Sequence, residues 1–240
     1  GYETSEGLVY APTGFDEKID KFTRESDLII IRGYDNFNSH WETIMPKIMK
    51  IADICEPLTL GIIKIPSPST GFNKYVRESV KALDAWITLP SKTSNVNSES
   101  QNTEKNIFER GINHIIKMLD LPGEMDIDTS DLQNTVCNGG HTYMSVGVDN
   151  NGSARSAAMD ALSNPYLDVT PTGAKKALLR IYSNHDLTMN EVNEIINIVR
   201  TNIGSENDIV FDYHSFELDK NSADVNNRIE VFIMASDIQS

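Results

Sequence analysis

The sequence has few basic residues for its acidic content, and this shortage excludes several classes of partner. Its 240 residues contain 21 Lys and Arg against 35 Asp and Glu, which gives a formal net charge of −14. Such a chain repels the phosphates of nucleic acids and the head groups of anionic membranes. Since no local cluster of Lys and Arg offsets this charge, we predict no nucleic-acid partner.

Cysteine, paired histidine spacing and long apolar segments are also lacking. The two cysteines, Cys55 and Cys137, cannot build a disulfide framework and form no C-x-x-C pair. The histidines show no H-x-x-x-H or H-x-H spacing, so we predict no metal site. No apolar run approaches the roughly 20 residues that span a bilayer, so we predict no membrane insertion. The polar start, GYETSEGLVYAP, lacks the basic segment of a secretion signal, and we therefore expect a cytoplasmic protein.

A polar stretch divides the chain into two parts with different patterns. Residues 91–101, SKTSNVNSESQ, have no apolar periodicity and are typical of a linker. The sequence therefore predicts two domains, residues 1–101 and residues 102–240. Because 39% of the residues are hydrophobic, the chain has the apolar content of an ordinary folded protein.

The first part alternates apolar runs with helical patterns. Three runs, at residues 28–31, 58–63 and 85–89, are typical of parallel strands that are covered on both faces. Helical patterns begin at Glu17, near His40 and at Phe72. Strand, helix, strand, helix, strand in this spacing predicts an α/β unit with a three-stranded parallel sheet.

The second part has the pattern of helices on one face of a mixed sheet. A helix of about four turns is predicted over residues 103–119, and a short helix follows with Ser130 as its N-cap. One strand, HTYMSVGVD, then begins at His141, and further strands and helices alternate to the end. We expect the last two strands to pair antiparallel because only a short turn region joins them. This arrangement is α+β.

Three segments of the second part carry the motifs of a known family. LPGEMDIDTSDLQNTV has the family's Pro-Gly turn, an N-x-D-x-x-D-like loop and a short helix, while TGAKKALLRIYSNHDLTMNEVNEII follows G-A-x-G-x-L-x-N-I-x-G-x-x-D-L-x-L-x-E-V. RIEVFIMASD follows I-x-V-T-V-I-A-T-G. The chain therefore resembles the FtsZ/tubulin family, on its FtsZ side. The resemblance implies a three-stranded parallel remnant of a Rossmann-like GTPase half, linked by a central helix to an FtsZ-type C-terminal mixed-sheet domain.

The family's glycine-rich GTP signature is missing from this sequence. Where the family has G-G-G-T-G-[ST]-G after a strand, residues 32–41 here are RGYDNFNSHW, beginning with Arg32. Phosphate binding needs glycines there because backbone N–H groups must approach the phosphates closely. Only Gly33 remains, while Tyr34 adds bulk and Asp35 adds a negative charge. The family's amino-terminal Gly-rich loop also finds no match, so we predict no bound GTP, no other cofactor and no GTP hydrolysis in the family's manner.

The family's acidic loop is matched by Asp126, Asp128 and Asp131, with Asp126 in place of the family's Asn. In FtsZ-like filaments this loop enters the nucleotide pocket of the next subunit, and its acidic groups position the attacking water. The resemblance therefore implies a partner-facing loop, in which we expect Asp128 and Asp131 to be exposed and not used as helix caps. Two alternatives remain open: an acidic turn that is stabilised by a helix dipole, and three carboxylates that attract a cation.

The sequence lacks the GTP-binding signature of the family's active site but keeps much of its acidic loop. This combination favours a subunit that can contact a neighbouring filament subunit with one end only. Our hypothesis is a degenerate FtsZ-like pseudo-GTPase of the cell-division cytoskeleton, an interaction or scaffold module that regulates or caps FtsZ-type filaments. Its partner would be an FtsZ-type protein or a second copy of the chain. The alternative is a small-ligand-binding protein or enzyme that reuses the cleft between the two halves, with a pocket lined by Arg32, Tyr34 and Asp35. A self-assembling structural protein that needs no nucleotide is a third hypothesis.

Overall fold

The structure is a computed structural model that describes residues 27–33, 58–64, 80–89, 98–120, 123–163, 169–204, 208–215 and 227–238. These residues form two four-stranded sheets and four helices of eight or more residues. The helices predicted at Glu17 and near His40, and most of the helix predicted at Phe72, lie outside the described residues. None of the helices in the described part of the chain is long and apolar enough to cross a membrane.

The elements follow one another in the order β1–β3, α1, α2, β4, β5, α3, β6, α4, β7, β8. The strands are β1 Leu28–Gly33, β2 Leu58–Lys64, β3 Ala85–Leu89, β4 Gly140–His141, β5 Tyr143–Asp149, β6 Lys176–Ser183, β7 Asp208–Ser215 and β8 Ile229–Ser236. The helices are α1 Ser98–Asp120, α2 Thr129–Val136, α3 Ala154–Leu162 and α4 Met189–Ile203. Helix α1 begins earlier than predicted and takes in the last four residues of the predicted linker.

The first sheet is parallel throughout, with the order β1-β2-β3-β4. Its first three strands are the three apolar runs, as predicted. The fourth strand comes from the second part of the chain, since Gly140 pairs with Ala85 and His141 with Trp86. The single strand predicted from His141 is therefore wrong: the N–H of Thr142 still donates to Trp86 O, but the next residue begins β5 in the other sheet.

The second sheet has the order β5-β8-β6-β7. The prediction that the last two strands pair with each other is wrong, because β8 lies between β5 and β6 and is antiparallel to both. Strand β7 instead pairs parallel with β6. Seven of the eight residues of β8 are buried, whereas β7 is largely half-exposed. Burial on both faces requires β8 to be central, and this requirement overrides its proximity to β7 along the chain.

Helices α3 and α4 cover one face of the second sheet and form an apolar core with it. Helix α3 contributes mainly alanines, which let it approach the strands closely. A Cβ at Gly147 of β5 would lie 2.2 Å from both the carbonyl oxygen of Ala157 and the nitrogen of Ala161. The contact between β5 and α3 therefore requires glycine at this position.

Helix α1 lies between the two sheets, as the family resemblance implies. One buried cluster unites Leu60 and Ile87 of the first sheet, Ile115 of α1, and Phe232 and Met234 of the second sheet. Full burial of such a side chain contributes roughly 1.5–3 kcal/mol. The described parts of the two halves thus share one core, which fixes the position of the loop that follows α1.

Candidate partner-binding loop

The three aspartates predicted from the acidic motif lie on one loop between α1 and α2. Residues 123–128 form this loop, and Asp131 belongs to the first turn of α2. The loop is anchored in the interior by Ile127, which is 6% exposed and packs in the core around α1. The structure therefore brings all three predicted site residues together at one end of α2.

Asp128 is the N-cap of α2, and this corrects the prediction that Ser130 has that role. Its Oδ1 accepts hydrogen bonds from the N–H of Ser130 (2.8 Å) and the N–H of Asp131 (3.1 Å). Asp131 accepts in return from the N–H of Asp128 (3.2 Å), which completes a capping box. Hydrogen bonds from the Ser130 hydroxyl and the Asp131 N–H hold the pKa of the exposed Asp128 carboxyl below its usual value.

The capping box changes the roles that we expected for the three aspartates. We expected Asp128 and Asp131 to be free of helix caps, and that expectation is wrong for both, although Asp128 is exposed. Because the capping box uses these two carboxylates, Asp126 is left as the acidic side chain at the tip of the loop. The alternative of a helix-capping acidic turn is therefore correct for two of the three aspartates.

The tip of the loop consists of Met125 and Asp126, and both are exposed. Met125 is 58% exposed, the largest value among the exposed large apolar side chains of the described residues. Asp126 has a φ of 52°, in the left-handed region that non-glycine residues seldom occupy. Aspartate tolerates this region better than most residues, and such strain is concentrated at binding sites.

The base of the loop is bound to β7, the edge strand of the second sheet. The N–H of Glu124 donates to Tyr213 O (3.1 Å), and the N–H of Met125 donates to Asp212 Oδ1 (3.0 Å). Asp212 Oδ2 in turn lies 3.3 Å from Nε of Arg180, and both side chains are 0% exposed. This buried ion pair was not predicted from the sequence. The available signal was a charged residue within each of two apolar strand patterns, since such residues are seldom buried without a partner.

A second polar cluster joins α1 to β8 and was also not predicted. Glu230 lies 3.0 Å from His114 Nε2 and 3.4 Å from Arg110 of α1, and it also contacts Arg228. Burial by itself raises the pKa of Glu230, but the hydrogen bond from His114 and the charges of Arg110 and Arg228 lower it to about 2. The ring of His114 also packs against Phe232. This cluster holds α1 against the second sheet.

The degenerate GTP-signature positions can be placed only in part. Arg32 and Gly33 end β1, paired with Ile62 and Ile63 of β2. Tyr34, Asp35 and the rest of residues 32–41 lie outside the described residues, as does the pocket expected there for a small ligand. Where the chain is described, no three His, Cys, Asp or Glu side chains are arranged to hold a metal ion.

Two sheets with a helix between them give the described chain the fold of the tubulin and FtsZ class. The structure is similar to an empty FtsZ dimer from M. jannaschii, with a TM-score of 0.71 and 19% identity over 91% of this chain and 66% of that one. It is similar to CetZ from Methanosaeta thermophila (TM-score 0.68, 15% identity, 92% and 64% covered). It is also similar to TubZ of Bacillus thuringiensis serovar israelensis (TM-score 0.62, 13% identity, 89% and 61% covered).

The sequence of the second half also matches a family profile directly. Residues 140–239 match the profile of the FtsZ family, C-terminal domain. Residues 140–239 therefore form an FtsZ-family C-terminal domain, and the described chain has the FtsZ/tubulin fold, which confirms the predicted resemblance and fold class. It spans 61–66% of the length of the three structures named above.

Proposed function

We propose that this chain is an FtsZ-like interaction module without GTPase activity, which caps or regulates filaments of an FtsZ-type protein in the cytoplasm, within a cell-division cytoskeleton. Two features support the proposal: a phosphate-binding motif that is missing from the sequence, and an acidic loop that is present. The sequence of residues 32–41 lacks the glycines that a phosphate-binding loop needs. The acidic loop after α1, in contrast, is present and presents an exposed tip.

The observation that carries the proposal is the contrast between the fixed base of the loop and its exposed tip. Ile127 is buried, and Asp128 caps α2, so the chain on one side of Asp126 is held in place. On the other side, the N–H of Met125 is bound to Asp212. A turn that only capped α2 would not need an exposed methionine directly beside an aspartate with a positive φ. Their presence supports a contact with another molecule.

The relatives suggest the geometry of that contact. The similar FtsZ structure is a dimer, and the similar TubZ structure is a GDP-form protofilament. By analogy, the tip would enter the nucleotide pocket of an FtsZ-type subunit, as the corresponding loop does in FtsZ-like filaments. Because residues 32–41 lack the glycines of a phosphate-binding loop, the chain would offer the next subunit no nucleotide in return, and it would join one end of a filament and stop growth there.

The test is sedimentation and GTP turnover of an FtsZ-type protein from the same source, with the chain added at substoichiometric amounts. We expect the parent to reduce polymer mass and turnover, and Asp126→Gly to abolish this effect while its melting temperature stays close to the parent's, because glycine accepts the positive φ of position 126. Asp186→Gly is the matched control, since Asp186 is an exposed carboxylate on the connection between β6 and α4. A parent without effect, or an Asp126→Gly variant with full effect, would contradict the proposal.

A further inference from the structure

The acidic tip is anchored to the buried ion pair of Arg180 and Asp212 in the second sheet, and we infer that Asp212 is a positioning residue that sets the location of the tip. The functional meaning of this inference rests on the function proposed above. Neither residue is near the tip in sequence, and neither belongs to the acidic motif. Both lie on strands of the C-terminal half, directly opposite each other in the parallel pairing of β6 and β7.

The geometry gives the two oxygens of Asp212 different roles. Oδ1 accepts the hydrogen bond from the N–H of Met125 (3.0 Å), the residue immediately before Asp126. Oδ2 faces Nε of Arg180 at 3.3 Å, and the guanidinium carbon of Arg180 lies 5.1 Å from the centre of the Tyr182 ring. Arg180 offsets the charge of the buried carboxylate through a contact without hydrogen-bond geometry, while the other oxygen of Asp212 accepts from the loop.

The loop approaches this carboxylate more closely than any side chain at Gly123 would permit. A Cβ at Gly123 would lie 1.8 Å from Oδ2 and 2.1 Å from Oδ1 of Asp212. The glycine at position 123 therefore has a local physical reason. Glycine lets the backbone pass directly over the carboxylate, and the next two residues then bond to β7 through Glu124 and Met125.

Stability alone does not explain an ion pair at this position. Removing two charges from water carries a large desolvation penalty, and well-packed apolar replacements of buried pairs are often neutral or stabilising. An apolar pair, however, would offer no acceptor to the N–H of Met125. The acceptor is the feature that only a polar residue at position 212 supplies, and it acts one residue from the tip.

Arg180 is joined to α1 through a further contact. The ring of Tyr182 lies 4.8 Å, centre to centre, from the ring of His114, whose Nε2 bonds to Glu230. The loop is therefore positioned relative to both β7 and the helix that precedes it. Loosening the tether at Asp212 should free the tip without disturbing the opposite face of the sheet, where α3 and α4 pack.

Two double variants separate the tether from the ion pair. Arg180→Met with Asp212→Asn removes both charges but keeps an amide oxygen for the N–H of Met125. Arg180→Met with Asp212→Leu has a similar volume and no acceptor. We expect the Met125 amide to exchange its hydrogen about tenfold faster in the Leu variant, the effect of one lost hydrogen bond, and within about threefold of the parent in the Asn variant. Amides of α4 serve as the internal control for global stability.

Equal Met125 exchange in the two double variants would overturn the inference, because the acceptor would then have no effect on the loop. The filament assay adds a second criterion: the Leu variant should lose the parent's effect and the Asn variant should retain it. A loosened loop with an undiminished filament effect would overturn the positioning role. If the parent has no filament effect, the proposed function fails, and the exchange rates alone then decide whether Asp212 holds the loop.

Should the Leu variant fail to fold, Gly123→Ala tests the same contact from the other side. Its methyl group would push the carboxylate of Asp212 away from the loop. We expect about tenfold faster exchange at the Met125 amide, which would support the inference. Unchanged exchange in this variant would overturn it.

Discussion

His114 Nε2 of α1 lies 3.0 Å from Glu230 Oε2 of β8, and this contact joins the central helix to the C-terminal sheet. Both residues are largely buried, and Arg110 and Arg228 lie against the same carboxylate. A carboxylate with three donors around it remains ionised well into the acid range. The contact therefore makes the attachment of α1 dependent on the charge of one glutamate.

The first prediction concerns the effect of acid on this attachment. The pKa of Glu230 is lowered to about 2 in the folded protein, from a usual value of 4.5. Its contribution to the free energy of unfolding is therefore fully present above pH 4.5 and is lost as the pH falls toward 2. We expect urea unfolding of the parent to become steadily easier over this range, and Glu230→Gln to show a weaker dependence. Parallel pH profiles for the two proteins would contradict the prediction.

The second prediction concerns the cap of α2. Because Asp128 accepts hydrogen bonds at the start of this helix, Asp128→Ala should lower the free energy of unfolding by about 0.5–2 kcal/mol. Thr188→Ala is a matched control, since Thr188 caps α4 with the same type of capping box. Asp126→Gly should leave the stability nearly unchanged, because glycine accepts the positive φ at this position. Denaturant titration distinguishes these outcomes, and an Asp128→Ala variant as stable as Asp126→Gly would show that the cap contributes nothing.

The third prediction concerns the packing of β5 against α3. Gly147→Ala would place a methyl group 2.2 Å from backbone atoms of α3, which cannot yield as a flexible side chain can. We expect a loss of about 1–3 kcal/mol or more in the free energy of unfolding. Gly173→Asn is the control, because Gly173 has a positive φ that Asn tolerates and open space around its Cβ position. The prediction is wrong if thermal unfolding of the two variants is the same.

The fourth prediction concerns nucleotide. Residues 32–41 lack the glycines of the family's signature, so isothermal calorimetry should detect no binding of GTP or GDP at physiological concentrations. An FtsZ-type protein measured under the same conditions provides the positive control. Micromolar GTP binding that GDP displaces would contradict the prediction and remove the basis for a non-hydrolysing module.

The helices and strands themselves were largely predictable from the sequence, whereas the pairing of the strands within the sheets was not. The apolar runs of β1–β3 and the periodicity of α4 fixed the type and approximate limits of these elements. The position of β8 between β5 and β6 depends on burial across the whole sheet, which no local pattern contains. The break at Thr142 was missed for the same reason, since nothing in HTYMSVGVD indicates that two sheets share it.

The loop was predicted in position and only partly in role. The resemblance located all three aspartates, but the spacing of Asp128 and Asp131 is also that of a capping box, so the same two residues fit both patterns. The support of the loop by Asp212 was beyond sequence reasoning. Asp212 and Met125 are 87 positions apart in the sequence. Their hydrogen bond uses the backbone N–H of Met125, which every residue except proline has, so the residue type at position 125 does not indicate the contact.

The passage of the chain through Thr142 means that the two halves are interleaved, although the polar segment of residues 91–101 lies between them in the sequence. The first sheet obtains its fourth strand from beyond α1, and the same few residues continue directly into β5. Division of the chain after residue 101 would therefore give an N-terminal fragment whose sheet lacks β4 and a C-terminal fragment whose β4 has no partner strand. The two fragments would be complementary at that edge, so reassembly by mixing, and not independent folding, is the behaviour to expect of them.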